Sequence, residues 1–115
     1  MKAALFAFNG DPMCFVHVLL HALDMKARGN DVAVVVEGTA TKLVKTLHED
    51  PSQPFAPLYA KVREQGLIGC VCKACASKMG SLESAASQGL PLCDEMSGHP
   101  SIARFVEDGY RVYTF

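Results

Sequence analysis

Two short, unbroken apolar runs constrain this chain more than any other feature. Ala3 to Phe8 and Val32 to Val36 carry no polar residue, whereas a strand with one wet face alternates polar and apolar positions. Continuous apolar strands belong to parallel sheets covered on both faces. The stretches between and after them read as helices. Asn9-Gly10-Asp11-Pro12 offers a capping aspartate and a proline suited to a first helical turn, so Met13 to Arg28 is predicted helical. Its apolar residues cover more than one stripe, which predicts burial against the sheet and against another subunit. Gly29-Asn30 stops it.

The rest follows the same alternation. Thr39 or Thr41 caps a helix to about His48. Pro51, Pro54 and Pro57 make a loop, and Leu58 to Gln65 is helical. Leu67 to Cys72 is a third strand, and Lys73 to Ser87 is helical with a break at Gly80-Ser81. Leu90 to Cys93 is a short fourth strand. Ser97 or Ser101 starts a last helix to Glu107, and Tyr110 to Phe115 is an aromatic and β-branched final strand. Strands alternating with helices predict an α/β fold, a mainly parallel sheet of about five strands with right-handed crossovers. The 115 residues are expected to form one domain, 1–115. In such sheets functional groups gather beyond the carboxyl ends of the strands. That nominates Asn9 to Cys14, Glu37 to Thr41 and Cys70 to Cys75.

Charge narrows the partners. Eleven Lys and Arg against twelve Asp and Glu leave a net charge of −1. No basic run stands out, since Lys42, Lys45, Lys61 and Arg63 look like solvated helix faces, so nucleic-acid binding is not expected. No stretch is long enough to span a bilayer, and the opening run reads as a strand rather than a signal peptide. Five cysteines, an odd number, argue against a secreted disulfide framework and for a reducing cytoplasm. Half the residues are hydrophobic. In so small a domain some apolar surface must stay outside, which predicts self-association.

Three cysteines crowd into Gly69-Cys70-Val71-Cys72-Lys73-Ala74-Cys75. Cys70 and Cys72 alternate along a strand and should share a face. Cys72 falls where the strand gives way to a helix. Helix-start N–H groups and the Lys73 ammonium should lower its thiol pKa. Cys75 lies one turn on and can reach back. Three chemistries use such a group: persulfide relay, thiol–disulfide exchange with Cys75 resolving a Cys72 mixed disulfide, and a zinc or iron site. In the last case Cys70, Cys72 and Cys75 are ligands, joined by Cys93 or a histidine. His99 can approach the cysteines as a proton donor or simply sit in a loop. His17 and His21 read as surface or interface histidines. Met13, Met25, Met79 and Met96 read as filler.

These residues resemble the DsrE/DsrF-like family of TusD- and YchN-type sulfur-relay proteins. The resemblance rests on the opening strand with Asn9-Gly10-Asp11-Pro12, on Val32 to Gly38 with the following Thr39-Ala40-Thr41-Lys42-Leu43-Val44, on the cysteine ending the middle strand, and on the tail Gly109 to Phe115. It implies a three-layer α/β/α sandwich, a homo-oligomer (trimer or hexamer) and a protein sulfur donor or acceptor. It implies a persulfide on Cys72, with Cys75 as a resolving or shielding thiol, Lys73 as an electrostatic aid and no organic cofactor. Where the family often has an Arg-Gly pair after the cysteines, this chain has Ser77-Lys78-Met79-Gly80.

Overall fold

A computed structural model describes residues 1–115. Five parallel strands form the sheet: β1 (Lys2–Ala7), β2 (Asp31–Val36), β3 (Ile68–Cys72), β4 (Leu92–Cys93) and β5 (Tyr110–Thr114), in the order β4-β3-β2-β1-β5. Six helices alternate with them: α1 (Pro12–Ala27), α2 (Thr41–Glu49), α3 (Ala56–Glu64), α4 (Lys73–Lys78), α5 (Leu82–Ser87) and α6 (Ile102–Glu107). A single 3-10 turn, Gly38–Ala40, leads into α2. The expected α/β sandwich is therefore present.

The strand order dictates how the helices divide. From β1 to β4 the chain steps one way across the sheet, and right-handed crossovers put every connecting helix on one face. Only the last step, from β4 back past β1 to β5, runs the other way, and it carries α6 to the opposite face. The packing agrees. Phe15, Val18 and Leu19 of α1, Leu43, Val44 and Leu47 of α2, and Tyr59 and Val62 of α3 close over Leu5, Val34, Val36 and Val71 in a core of 19 buried residues. The α6 face holds seven: Ala4, Phe6, Ala33, Val35, Cys70, Cys93 and Phe105. Phe105 is the sole buried side chain that α6 supplies, and its ring meets Phe6 and Tyr110 edge-on at 5.4 and 5.3 Å.

Local chemistry fixes the junctions. Asp11 caps α1 by accepting the Met13 N–H, with Pro12 opening the helix. Ser101 caps α6 by accepting the Arg104 N–H. Register slips between Val34 and Val35 where β2 meets β3. There a Cβ on Gly69 would lie 2.8 Å from the Ala33 Cβ, so only glycine lets the two strands close. In α1 one side is buried while Met13 and Leu20 stay exposed. No helix is long and apolar enough to cross a membrane.

Candidate functional site

The three nominated segments meet at the carboxyl ends of β1, β2 and β3. Thr39 ties the first two together: its Oγ1 accepts from Gly10 N–H at 2.9 Å and lies 3.3 Å from the Phe8 carbonyl. Gly38, Thr39, Cys75, Lys78 and Met79 line one small cavity of about 160 Å³. The cysteine segment stands at its edge because β3 passes directly into α4, with Cys72 as the capping residue. Its Sγ accepts the Cys75 N–H at 3.4 Å.

Cys70 is not part of this constellation. It is bonded to Cys93 across β3 and β4, with Cα atoms 5.7 Å apart. This corrects two expectations. The five cysteines are not all free, and Cys70 cannot be a metal ligand beside Cys72 and Cys75, nor Cys93 a fourth one, while that bond stands. The reason is strand order. β4 lies beside β3, with Leu92 opposite Val71 and Cys93 opposite Cys72, so Cys93 and Cys70 occupy the same face within bonding reach. Cys14, Cys72 and Cys75 remain free thiols.

Lys73 also departs from expectation. Its ammonium is half exposed and sits 3.9 Å from the Asp94 carboxylate. Position 73 points outward from a helix whose first turn begins there, so the charge serves the Asp94 turn. The predicted lowering of the Cys72 pKa is reversed. Cys72 has no exposed surface, and burial pushes its thiol up. The Cys75 side chain adds to the rise, while the Cys75 N–H opposes it. Removing a thiolate from water outweighs the few N–H groups of a six-residue helix.

The group that reaches the sulfurs is His99. Its Nδ1 lies 3.1 Å from Cys72 Sγ and 3.5 Å from Cys75 Sγ. The loop from Asp94 to Pro100 is built to present it. Met96 and His99 close a one-bridge turn, Ser97 takes φ 50° and Gly98 takes φ 92°. Gly98 also accepts the Ala74 N–H at 3.0 Å, and a Cβ there would lie 3.0 Å from the Ala74 Cβ. Glycine is thus required twice, for the left-handed turn and for the close approach to α4. A non-glycine residue in the left-handed region beside a reactive cluster is a recognised mark of functional loops.

Glu37 was nominated only as the first residue of a candidate segment and not for its own carboxylate. It follows β2 at 7 % exposure, and by alternation it shares the α6 face with Ala33 and Val35. Burial raises its carboxyl pKa to about 7, and a charge there opposes ionisation of Cys72. The available signal was an acidic residue placed directly after a run of buried valines. His17 and His21 are exposed on α1 and take no part in the cluster of Cys72, Cys75 and His99.

Residues 2–115 match the DsrE/DsrF-like family. An uncharacterized protein of Methanocaldococcus jannaschii, MJ0733, is 31 % identical over 97 residues, covering 84 % of this chain and 76 % of that protein. An uncharacterized Archaeoglobus fulgidus protein is 51 % identical over 37 residues, covering 32 % of this chain and 100 % of the relative. The solved structure of a conserved Bacteroides thetaiotaomicron protein of unknown function, BT1422, superposes with a TM-score of 0.69. It covers 99 % of this chain and 94 % of that one at 16 % identity, a likeness of fold. With the family match running from the first strand to the last residue, the chain belongs to the DsrE/DsrF-like family.

Proposed function

We propose that the chain is a sulfur carrier whose sulfane sulfur enters at Cys75 and is held on Cys72, with His99 moving the proton. The observation that carries this reading is one imidazole nitrogen within 3.1 and 3.5 Å of the two sulfurs. Family membership supports a sulfur-relay role at the level of the family. Cys75 is partly exposed and borders the cavity, whereas Cys72 is buried.

The chemistry balances without an oxidant. His99 Nδ1 takes the Cys75 thiol proton, and the thiolate attacks the outer sulfur of a donor persulfide R–S–SH. The S–S bond of the donor breaks, the imidazolium gives its proton to the departing sulfur, which leaves as RSH, and Cys75–S–SH remains. Cys72, deprotonated through the same nitrogen, then attacks that outer sulfur. Cys72–S–SH forms, the Cys75 thiolate is released, and the imidazole returns its proton. Burial shields the stored persulfide from water, and reversal delivers it to an acceptor. The donor and acceptor on this reading are proteins that cover the cavity mouth. Lys73 acts at most through Asp94.

Mass spectrometry of the folded protein after exposure to a polysulfide tests this. One added sulfur on Cys72, slow loading in Cys75→Ser and rapid loss of the label in Cys72→Ser support it. Absence of added sulfur on both cysteines overturns it. We also propose self-association, supported by exposed Met13 and Leu20 on α1. The resemblance favours a trimer or hexamer, and a monomer in sedimentation at micromolar concentration overturns that.

A further inference from the structure

The same three side chains suit a second occupant. We propose that Cys72, Cys75 and His99 form a site for one thiophilic divalent cation, with zinc as the natural fit and a fourth position left to solvent or an exogenous thiol. The ligand atoms of these three residues all lie within 4.8 Å of one another. A tetrahedral zinc with Zn–S of about 2.3 Å and Zn–N of about 2.0 Å spans sulfur-to-nitrogen edges of about 3.5 Å. The Cys75 edge is 3.5 Å already, and the Cys72 edge of 3.1 Å needs to open by a few tenths of an ångström. Both sulfur-to-nitrogen edges are thus within a few tenths of an ångström of those around a bound ion.

A further feature favours a cation. The His99 loop is pinned to α4 through Gly98 and Ala74, so the imidazole is held in place before an ion arrives. Thiolate and imidazole donors select zinc over magnesium or calcium. Three protein ligands with an open fourth position are the pattern of zinc sites that admit a water or substrate rather than of closed structural ones. Cys70 and Cys93 hold each other and contribute nothing, which leaves the count at three. An ion here occupies the sulfurs that the carrier reading needs, so metal and sulfane sulfur exclude each other.

Cobalt(II) titration of the metal-free protein, with the Cys70–Cys93 bond intact, is the test. One equivalent should give a thiolate-to-cobalt charge-transfer band and the visible bands of tetrahedral geometry, both displaced by one equivalent of zinc. His99→Ala and Cys75→Ser should abolish the charge-transfer band or halve it, with circular dichroism reporting the fold. His99→Cys should keep a tetrahedral spectrum, and Cys14→Ser should leave it unchanged. Zinc-loaded protein should resist alkylation at Cys75. An octahedral cobalt spectrum without a charge-transfer band, or one indifferent to His99→Ala and Cys75→Ser, overturns the proposal. No sulfur donor is present, so the outcome is independent of the carrier reading.

Discussion

The two faces of the sheet are built to different specifications. One carries five helices and 19 buried residues. The other carries a six-residue helix and seven buried residues, two of which are a bonded pair of cysteines. A thick layer holds itself by area removed from water. A thin one must make each contact count, and here it adds an aromatic cluster and a covalent tie. The free Cys72 and Cys75 sulfurs lie where the thin layer meets the end of β3. The candidate site thus sits on the side with less packing, over a thick foundation that keeps β3 in place.

The largest expected effect comes from removing the one anchor of the thin layer. Phe105→Ala should cost about 4 kcal/mol in denaturant unfolding, near the top of the range for buried side chains. A loss below about 1 kcal/mol would mean that the α6 face is not a core at all. Next is the tie itself. Unfolded without reductant, the chain should titrate three thiols, and five after reduction, and Cys93→Ala should cost about 3 kcal/mol for a loop closed over 23 residues. Five thiols in the unreduced chain would remove the distinction between the faces.

Glu37 offers a third probe. Its folded pKa of about 7 lies above the ordinary carboxylate value, so the folded state holds this proton longer than the unfolded state does. Stability is undiminished below the unfolded value and falls as pH rises from about 4.5 towards 7. Glu37→Gln should therefore gain about 2 kcal/mol at pH 8 and nothing at pH 4, read from paired denaturation curves. An equal gain at both would locate the effect in packing. The smallest effect is the α6 cap. Ser101→Ala should cost about 1 kcal/mol, and hydrogen exchange should report it in α6 and the His99 loop before any helix of the thick face.

Most of the fold was legible because the strands are buried on both sides. Ala3 to Phe8 and Val32 to Val36 announce themselves by composition, and Asp11-Pro12 and Gly29-Asn30 bracket α1. What was illegible depends on strand order. Nothing local says that β4 lies beside β3, so the bond between Cys70 and Cys93 could not be read from spacing. The same neighbourhood decides where Lys73 turns, because Asp94 arrives only with β4. Cys72 was legible as the strand-ending cysteine. Its raised pKa was not, since local N–H groups are visible in a sequence and burial is not. His99 lay 27 residues from Cys72 and could only be named as a group able to approach.

The hydrogen bond from Ala74 to Gly98 has a mechanical consequence. It makes the imidazole a passenger of α4, fastened to the very turn that separates the two sulfurs. The other end of the loop is fastened to α6, where the Glu95 carboxylate accepts the Ser101 N–H and pairs with Arg104, so a tilt of α6 is passed to the nitrogen that stands over both sulfurs.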